Sequence, residues 1–357
     1  MDKFNLLSFS DFYFGFAFFY PLFMAWIWIA GGLWFYLKHE RKQSVLPKPS
    51  EHGCSIIIPC FNEEAQVRET IKFAMQTQYP DFEVIAVNDG SQDRTAEILD
   101  QLMLEYPKLR VVHLAENQGK AYALRAGAMV SQHEYLVCID GDALLHPHAV
   151  LWMMHHLTSY PRVGAVTGNP RIINRSSILG KIQVGEFSSI IGLIKRAQRT
   201  YGRIFTVSGV IAGFRKTALD RIGYWRDDMI TEDIDVSWRL QFDHWDLQYV
   251  PRALCYIYMP ETLNGLWKQR LRWAQGGIEV LFAYLPRLFN LKLRRMWPIV
   301  IESIVSVVWA YVMFGIIALY FYGLFFSLPG EWAIQSLFPQ WYGIILGMTC
   351  LMQFFVS

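Results

Sequence analysis

The sequence predicts an α/β protein, a doubly wound and mainly parallel sheet set between membrane-spanning helices, and three observations lead there. Short apolar runs alternate with helix-length segments between residues 55 and 168, the pattern of βαβ units in a parallel sheet. Several of those runs end in acidic or amide-rich loops, which an open α/β sheet presents along the carboxyl edge of its strands, where ligands bind. Long apolar stretches occupy both ends of the 357-residue chain, whose hydrophobic content is 53% and aromatic content 16%.

Residues 12–37 carry no charged side chain, and about 20 apolar residues suffice to span a bilayer. The run is too long and too aromatic for a cleaved signal peptide, so residues 1–37 read as one transmembrane segment. The basic run 38–42 follows, and the positive-inside rule places it in the cytosol. Residues 38–260 then hold the sheet domain. After a linker with two prolines (46–49), a first strand at 55–59 ends in Phe61-Asn62-Glu63-Glu64, and a helix runs to about residue 76. A second strand at 84–87 ends in Asn88-Asp89-Gly90-Ser91, and a helix runs to about residue 105. A third strand, 111–114, gives way at Asn117-Gln118-Gly119-Lys120 to an Ala-rich helix. The fourth, Leu136-Val137-Cys138-Ile139, is apolar throughout and reads as buried on both faces. It stops at Asp140-Gly141-Asp142, where Gly141 allows a sharp turn. A fifth strand at 163–168, a long segment at 178–199 and Ser208-Gly209 come next.

Residues 261–296 read as amphipathic interfacial helices, 297–328 as a second span and 329–340 as an outer loop without Lys or Arg. Residues 341–357 begin a third span that is still apolar at Ser357, so the chain reads as a fragment of a longer protein. The basic flanks at 38–42 and 292–295 agree on one topology, with residues 38–296 cytosolic.

Asp140 and Asp142 repel each other unless a cation lies between them. All-oxygen ligands suit Mg²⁺ or Mn²⁺, with substrate phosphates completing the shell; taken alone, the pair also reads as a solvated acidic turn. Neither a Gly-x-Gly-x-x-Gly nor a Walker lysine loop follows the first strand, which disfavours dinucleotide oxidoreductases and P-loop NTPases. A net charge of +2 points to no nucleic-acid partner. The five cysteines lack a Cys-x-x-Cys and read as reduced core thiols. His146, His148, His155 and His156 complete no zinc ligand set.

Thr231-Glu232-Asp233 begins a helix. Thr231 suits an N-cap and the acids suit the helix dipole, while a carboxylate at a helix start in a cleft equally suits a general base. Gln269, Arg272 and Trp273 share one helical face. Amide, guanidinium and indole suit a sugar and a phosphate, and the same helix suits a membrane surface.

Asp89, Asp140/Asp142, Thr231-Glu232-Asp233 and Gln269/Arg272/Trp273 stand in the order of the signature of the processive family-two glycosyltransferases, and the chain resembles that family over nearly its whole length. Val166-Thr167-Gly168-Asn169-Pro170-Arg171, Gly180-Lys181-Ile182-Gln183 and residues 260–270 are most similar to the bacterial poly-β-1,6-N-acetylglucosamine synthases of that family. The resemblance implies a GT-A-type, Rossmann-like cytosolic domain in a multi-pass protein of the bacterial inner membrane. It implies UDP-GlcNAc as donor, a growing biofilm polysaccharide as acceptor and Mg²⁺ or Mn²⁺ as cofactor. The same motifs also suit a cellulose, chitin or hyaluronan type of synthase, and a non-processive lipid-linked sugar transferase would share the sheet and the Asp-x-Asp. Phe61, Glu63, Asp89 and Lys120 would hold the uridine diphosphate with Arg272, and Asp140 and Asp142 would position the metal. Asp233 would be the base, with Gln269, Trp273, Glu232 and Ser208 toward the acceptor. No cyclic-dinucleotide module like that of cellulose synthases is present, so regulation, for instance by cyclic-di-GMP, would fall to a small membrane partner subunit. Glu302, inside the second span, is a functional candidate by its depth in the bilayer: it would contact exported polymer or snorkel to the cytosolic edge.

Overall fold

Parallel pairing at one end of the sheet and an antiparallel insertion at its centre define the architecture of residues 9–41, 45–334 and 340–357, the part that the computed structural model describes. In chain order the first elements are α1 (Phe9–Phe35), β1 (Cys54–Cys60), α2 (Val67–Met75), β2 (Phe82–Asp89), α3 (Thr95–Glu105), β3 (Leu109–Leu114) and α4 (Lys120–Val130). Then come β4 (Tyr135–Ile139), β5 (Leu144–Leu145), α5 (Ala149–Ser159), β6 (Val163–Ile172), α6 (Ile178–Phe187), α7 (Lys195–Tyr201), β7 (Ile211–Arg215) and α8 (Lys216–Ile222). The last are α9 (Glu232–Phe242), β8 (Asp246–Ile257), α10 (Leu263–Leu288), α11 (Trp297–Gly323) and α12 (Gln340–Val356).

The strands join in the order β3-β2-β1-β4-β7-β6-β8-β5. β3, β2, β1 and β4 are mutually parallel, as are β6 and β8. β7 runs antiparallel to β4 and β6, and β5 to β8. The expected sheet is therefore present but mixed, and the fifth strand does not neighbour the fourth, because β7 lies between them. β1 and β2 are buried along their full length because helices cover both faces. Ile56 and Ile58 point into the cluster with Val67 and Ile71 of α2, and Ile57 into the one with Leu124 of α4, following the two-residue period of a strand. Cys54, Cys60, Cys138 and Cys255 are free and buried, as core thiols should be, whereas Cys350 on α12 is free but exposed and is no core thiol.

α1 and α11 pack antiparallel. Tyr13 Oη donates to the Val312 carbonyl at 2.9 Å, Trp309 Nε1 to that of Ala17 at 2.9 Å, and Tyr20 meets Ser306 at 2.6 Å. Ser10–Glu40 and Leu291–Gly323 are long and apolar enough to cross a membrane. The third expected span is shorter, with Gly343–Val356 as its apolar part, below the roughly 20 residues a crossing needs. Lys42 of the basic run, residues 1–8 of the first segment and residues 335–339 of the expected outer loop lie outside the described residues.

The long segment after β6 is a single rod in which the π-helical turns Ser188–Ile194 join α6 to α7. α7 docks the domain onto α1. Arg196 Nε is 2.5 Å from Glu40, and Thr200 Oγ1 donates to the Gly31 carbonyl at 3.1 Å. Glu302 accepts from Trp28 Nε1 at 3.2 Å and from Tyr201 at 3.0 Å. Each of its oxygens thus accepts from a protein donor, which makes it a fastener of α1 and α7 to α11.

A second clamp joins α9 to α10. Asp235 is 0% exposed and accepts from Tyr284 Oη at 2.5 Å and Arg239 at 2.7 Å, while Tyr284 stacks on Trp238. Tyr284→Phe keeps the ring and removes one donor from a buried carboxylate, a loss of about 1–3 kcal/mol. The thermal midpoint of the detergent-solubilised chain should fall accordingly; an unchanged midpoint would show that the ring alone carries the clamp.

Candidate active site

The parallel register of β2, β1 and β4 brings their carboxyl ends side by side, with Cys60 opposite Asn88 and Ile57 opposite Cys138. The loops that follow therefore share one edge and place Phe61, Glu63, Asp89, Asp140 and Asp142 along it. Phe61 is 43% exposed, a ring open to a ligand. Gly141 is not among the glycines with positive φ, so a sharp turn is not what requires it. A Cβ there would stand 2.8 Å from the Pro59 carbonyl and 3.3 Å from Glu63 Cγ, and this close approach of the first loop demands glycine. Asp89 is buried, and its two oxygens accept the backbone N–H groups of Gln118 and Gly119, each at 2.9 Å. It fastens the loop that launches α4.

Lys120, the first residue of α4, is the hub. Its Nζ lies 2.6 Å from Asp140 Oδ1 and 3.1 Å from Glu232 Oε1, and donates to the Gly209 carbonyl at 3.1 Å. Burial works against the ammonium, but Asp140 and Glu232 outweigh it and hold its pKa above the usual lysine range. Burial likewise raises Glu232, and Lys120 more than offsets this, leaving that carboxyl low. Asp233 is pushed up to about 6 by burial and by Glu232, with Lys120 and Lys195 pulling it back. Asp233 Oδ2 and Lys120 Nζ each lie 3.3 Å from the position a Cβ on Gly209 would take.

Thr231 holds the N-cap position, but its side chain makes no capping bond and Oγ1 is buried without a partner. The reason is α10, whose Gly276 is so near that a Cβ there would sit 2.3 Å from Thr231 Cγ2. Asp233 Oδ1 instead accepts the Ile234 N–H at 2.9 Å. The same crossing brings α10 to the site, and the charge of the exposed Arg272 reaches Glu232. Gln269 is half-buried with Oε1 unpartnered. Trp273 is half-buried near Phe187, and Arg270, paired with Glu186 at 2.7 Å, lies over its ring at 4.4 Å. The indole is therefore a platform with one face already covered by a cation. Ser208 is buried and donates its N–H to Thr167 Oγ1 at 2.8 Å.

The structure thus unites Lys120, Asp140, Glu232, Asp233, Ser208 and Arg272, and leaves Gln269 and Trp273 on the side facing α6. Thr167, Glu186, Lys195 and Arg270 also enter the site and its surroundings, and sequence reasoning gave them no role. The one usable signal was Lys195, a lysine closing an apolar run.

Glu63 is pushed up to about 7 by burial, then by Asp142, Asp140 and Asp93. Asp142 is raised by burial and by Asp140. Crowded carboxylates of this kind fit a divalent cation, although among the described residues no three His, Cys, Asp or Glu side chains are already gathered as a ligand set.

Fold and site together define a glycosyltransferase of GT-A type. Residues 55–223 match glycosyl transferase family 2, and the chain belongs to that family. It is 44% identical over 305 residues to a poly-β-1,6-N-acetyl-D-glucosamine synthase of Staphylococcus epidermidis, a match that covers 84% of this chain and 74% of that protein. It is 42% identical over 306 residues to the synthase of the same name from Staphylococcus aureus (strain COL), again over 84% of this chain and 74% of that protein. Among solved structures, its fold is similar to that of a mannosyltransferase from Pyrobaculum calidifontis in complex with GDP-Man and Mn²⁺, with a TM-score of 0.57 and 20% identity over 92% of this chain and 97% of that one.

Lys120→Met keeps the stem and removes the charge, so Asp140 and Glu232 lose their shared cation. The Glu232 carboxyl then loses the cation that offsets its burial, its folded-state pKa rises, and stability is lost as pH rises through it. The variant should lose about 1–3 kcal/mol near pH 8 and much less near pH 5, read as thermal midpoints against wild type. Equal losses at both pH values would assign Lys120 to packing.

Proposed function

We propose that this chain is a membrane-bound, processive, inverting glycosyltransferase that polymerises N-acetylglucosamine from UDP-GlcNAc into β-1,6-linked poly-GlcNAc and passes the polymer across the membrane. The observation that carries the chemistry is Asp233, a half-buried carboxylate at a helix start beside Lys120 at the strand-end edge. The product class is supported by the 44% identity to a poly-β-1,6-N-acetyl-D-glucosamine synthase. The setting is the bacterial inner membrane with the domain cytosolic, since the antiparallel α1 and α11 put the basic residues Lys38, Arg41, Arg294 and Arg295 on one side. A small membrane partner subunit, responsive to a signal such as cyclic-di-GMP, belongs to the same reading.

Phe61 offers a ring to the uracil base, and Lys120 and Arg272 offer cations to the diphosphate. Asp142, with Asp140 and the neighbouring Glu63, would hold Mg²⁺ or Mn²⁺, which when bound neutralises charge on the leaving diphosphate. Asp233 takes the proton of the acceptor's primary hydroxyl as that oxygen bonds to the anomeric carbon. The bond from that carbon to UDP breaks on the opposite face, and its electron pair leaves with the diphosphate. Lys120 and Arg272 stay beside the developing charge.

Asp233→Asn preserves shape and cannot accept a proton, so synthesis should fall by about 10²–10⁴-fold with UDP affinity little changed. Because Asp233 must be ionised and its pKa is about 6, wild-type transfer should decline about tenfold per unit below that pH. Normal polymer yield from the variant would leave the mechanism without its base.

Asp142→Asn tests the cation with a readout independent of turnover. Mn²⁺ or Mg²⁺ should raise the thermal midpoint of the wild-type chain and leave that of the variant unmoved. Equal shifts in both would take Asp142 out of the cation's shell.

A further inference from the structure

Lys195 opens α7 beneath the site, and its side chain is only 3% exposed. An ammonium in such a place is costly unless something answers its charge. Its Nζ donates to Thr167 Oγ1 at 3.0 Å, a neutral partner, and among the described residues it makes no ion pair. Thr167, fully buried on β6, also accepts the Ser208 N–H at 2.8 Å. Ser208 and Gly209 line a small pocket with Glu232 and Asp233. A Cβ on Gly209 would lie 3.3 Å from Asp233 Oδ2. A hydrogen-bonded bridge therefore runs from the buried amine to the wall on which the Asp233 carboxylate rests. Among the described residues, the charges that act most on Asp233 are Glu232 on its own helix, Lys120 from α4 and Lys195 from α7. Lys120 divides its field among Asp140, Glu232 and Asp233, whereas Asp233 is the charged group that Lys195 faces.

We propose that Lys195 is a positioning residue for the base, a buried ammonium braced through Thr167 that sets how tightly Asp233 holds the proton taken from the acceptor hydroxyl. This rests on Asp233 being that base. The sign follows from charge. Burial and Glu232 push Asp233 up to about 6 even with Lys195 opposing them. Without that cation the carboxyl rises further and stays protonated closer to neutrality. Burial also draws Lys195 itself down to about 7, so its hold on Asp233 is strongest on the acid side, where the base would otherwise be lost.

The test is UDP release by the full chain from about pH 5 to about pH 9, with UDP affinity measured alongside. Wild type, Asp233→Asn, Lys195→Met and Lys195→Arg are compared. Lys195→Met should move the acid limb upward by about one unit, the low end of the effect of a nearby opposite charge. Transfer near pH 6 should then slow several-fold at unchanged UDP affinity. Lys195→Arg keeps the charge and should keep the limb. An unmoved limb in Lys195→Met, or an equal displacement in Lys195→Arg, overturns the inference. If Lys195→Met no longer binds UDP, Lys195→Gln is read in the same way; loss of UDP affinity there too makes Lys195 a folding residue and also overturns it. Full activity in Asp233→Asn is a different failure, which removes the base itself and which no Lys195 variant imitates.

Discussion

One ammonium holds together carboxylates that would otherwise drive the sheet edge apart. Asp140 ends β4 and Glu232 starts α9, and each is within 3.1 Å of Lys120 Nζ. Two desolvated carboxylates in such proximity are tolerable only with a cation between them. The position of that cation is itself secured, because Asp89 grips the N–H groups of Gln118 and Gly119 just ahead of Lys120. An acid beyond β2 therefore places a base beyond β3, which in turn places acids beyond β4 and before α9. Asp142 and Glu63, which form no ion pair with Lys120, are raised by burial and then by the neighbouring carboxylates. The edge thus carries an ion-paired side beside Asp233 and a side of crowded carboxylates at Glu63 and Asp142, with Asp140 between the two.

The catalytic domain and the apolar helices are packed as one body through the rod of α6 and α7. At its start α7 buries Lys195 under the site, and at its end Tyr201 donates to Glu302 of α11. Between them Arg196 binds Glu40, just past α1, and Thr200 binds Gly31 within it. A helix of seven residues therefore ties the surroundings of Asp233 to both long apolar helices. The half-buried Arg196–Glu40 ion pair resists sliding of the rod, because sliding would leave both charges unsatisfied. α10 is held with similar strictness, by Gly276 against Thr231 and by Tyr284 on Asp235.

Much of the fold was legible because it is written locally. Ile56-Ile57-Ile58 and Leu136-Val137-Cys138-Ile139 announce buried strands by composition, and their loops announce the ligand edge by ending in acids. β7 was not legible, since Ile211–Arg215 is short and contains a glycine, and only its pairing with both β4 and β6 makes it a strand. Thr231 misled as a capping residue for a similar reason. Its hydroxyl is directed by the approach of Gly276, 45 residues on in sequence, against a local preference worth only about 1 kcal/mol.

By itself the sequence marked candidates for chemistry. Lys120 was singled out by the family resemblance, whereas Asp89, Asp140 and Asp142 stand at the ends of apolar strands, Glu232 and Asp233 open a helix, and Arg272 shares a helical face with Gln269 and Trp273. Side-chain type and strand period are local properties, and they suffice for that. The tertiary structure alone decided which of these groups neutralise one another, that Lys120 serves Asp140 and Glu232 together, that Arg270 covers the Trp273 ring, and that Lys195 stands under Asp233. Those outcomes depend on distance and desolvation between groups far apart along the chain, and electrostatic interaction grows strong only after packing has removed the water between them.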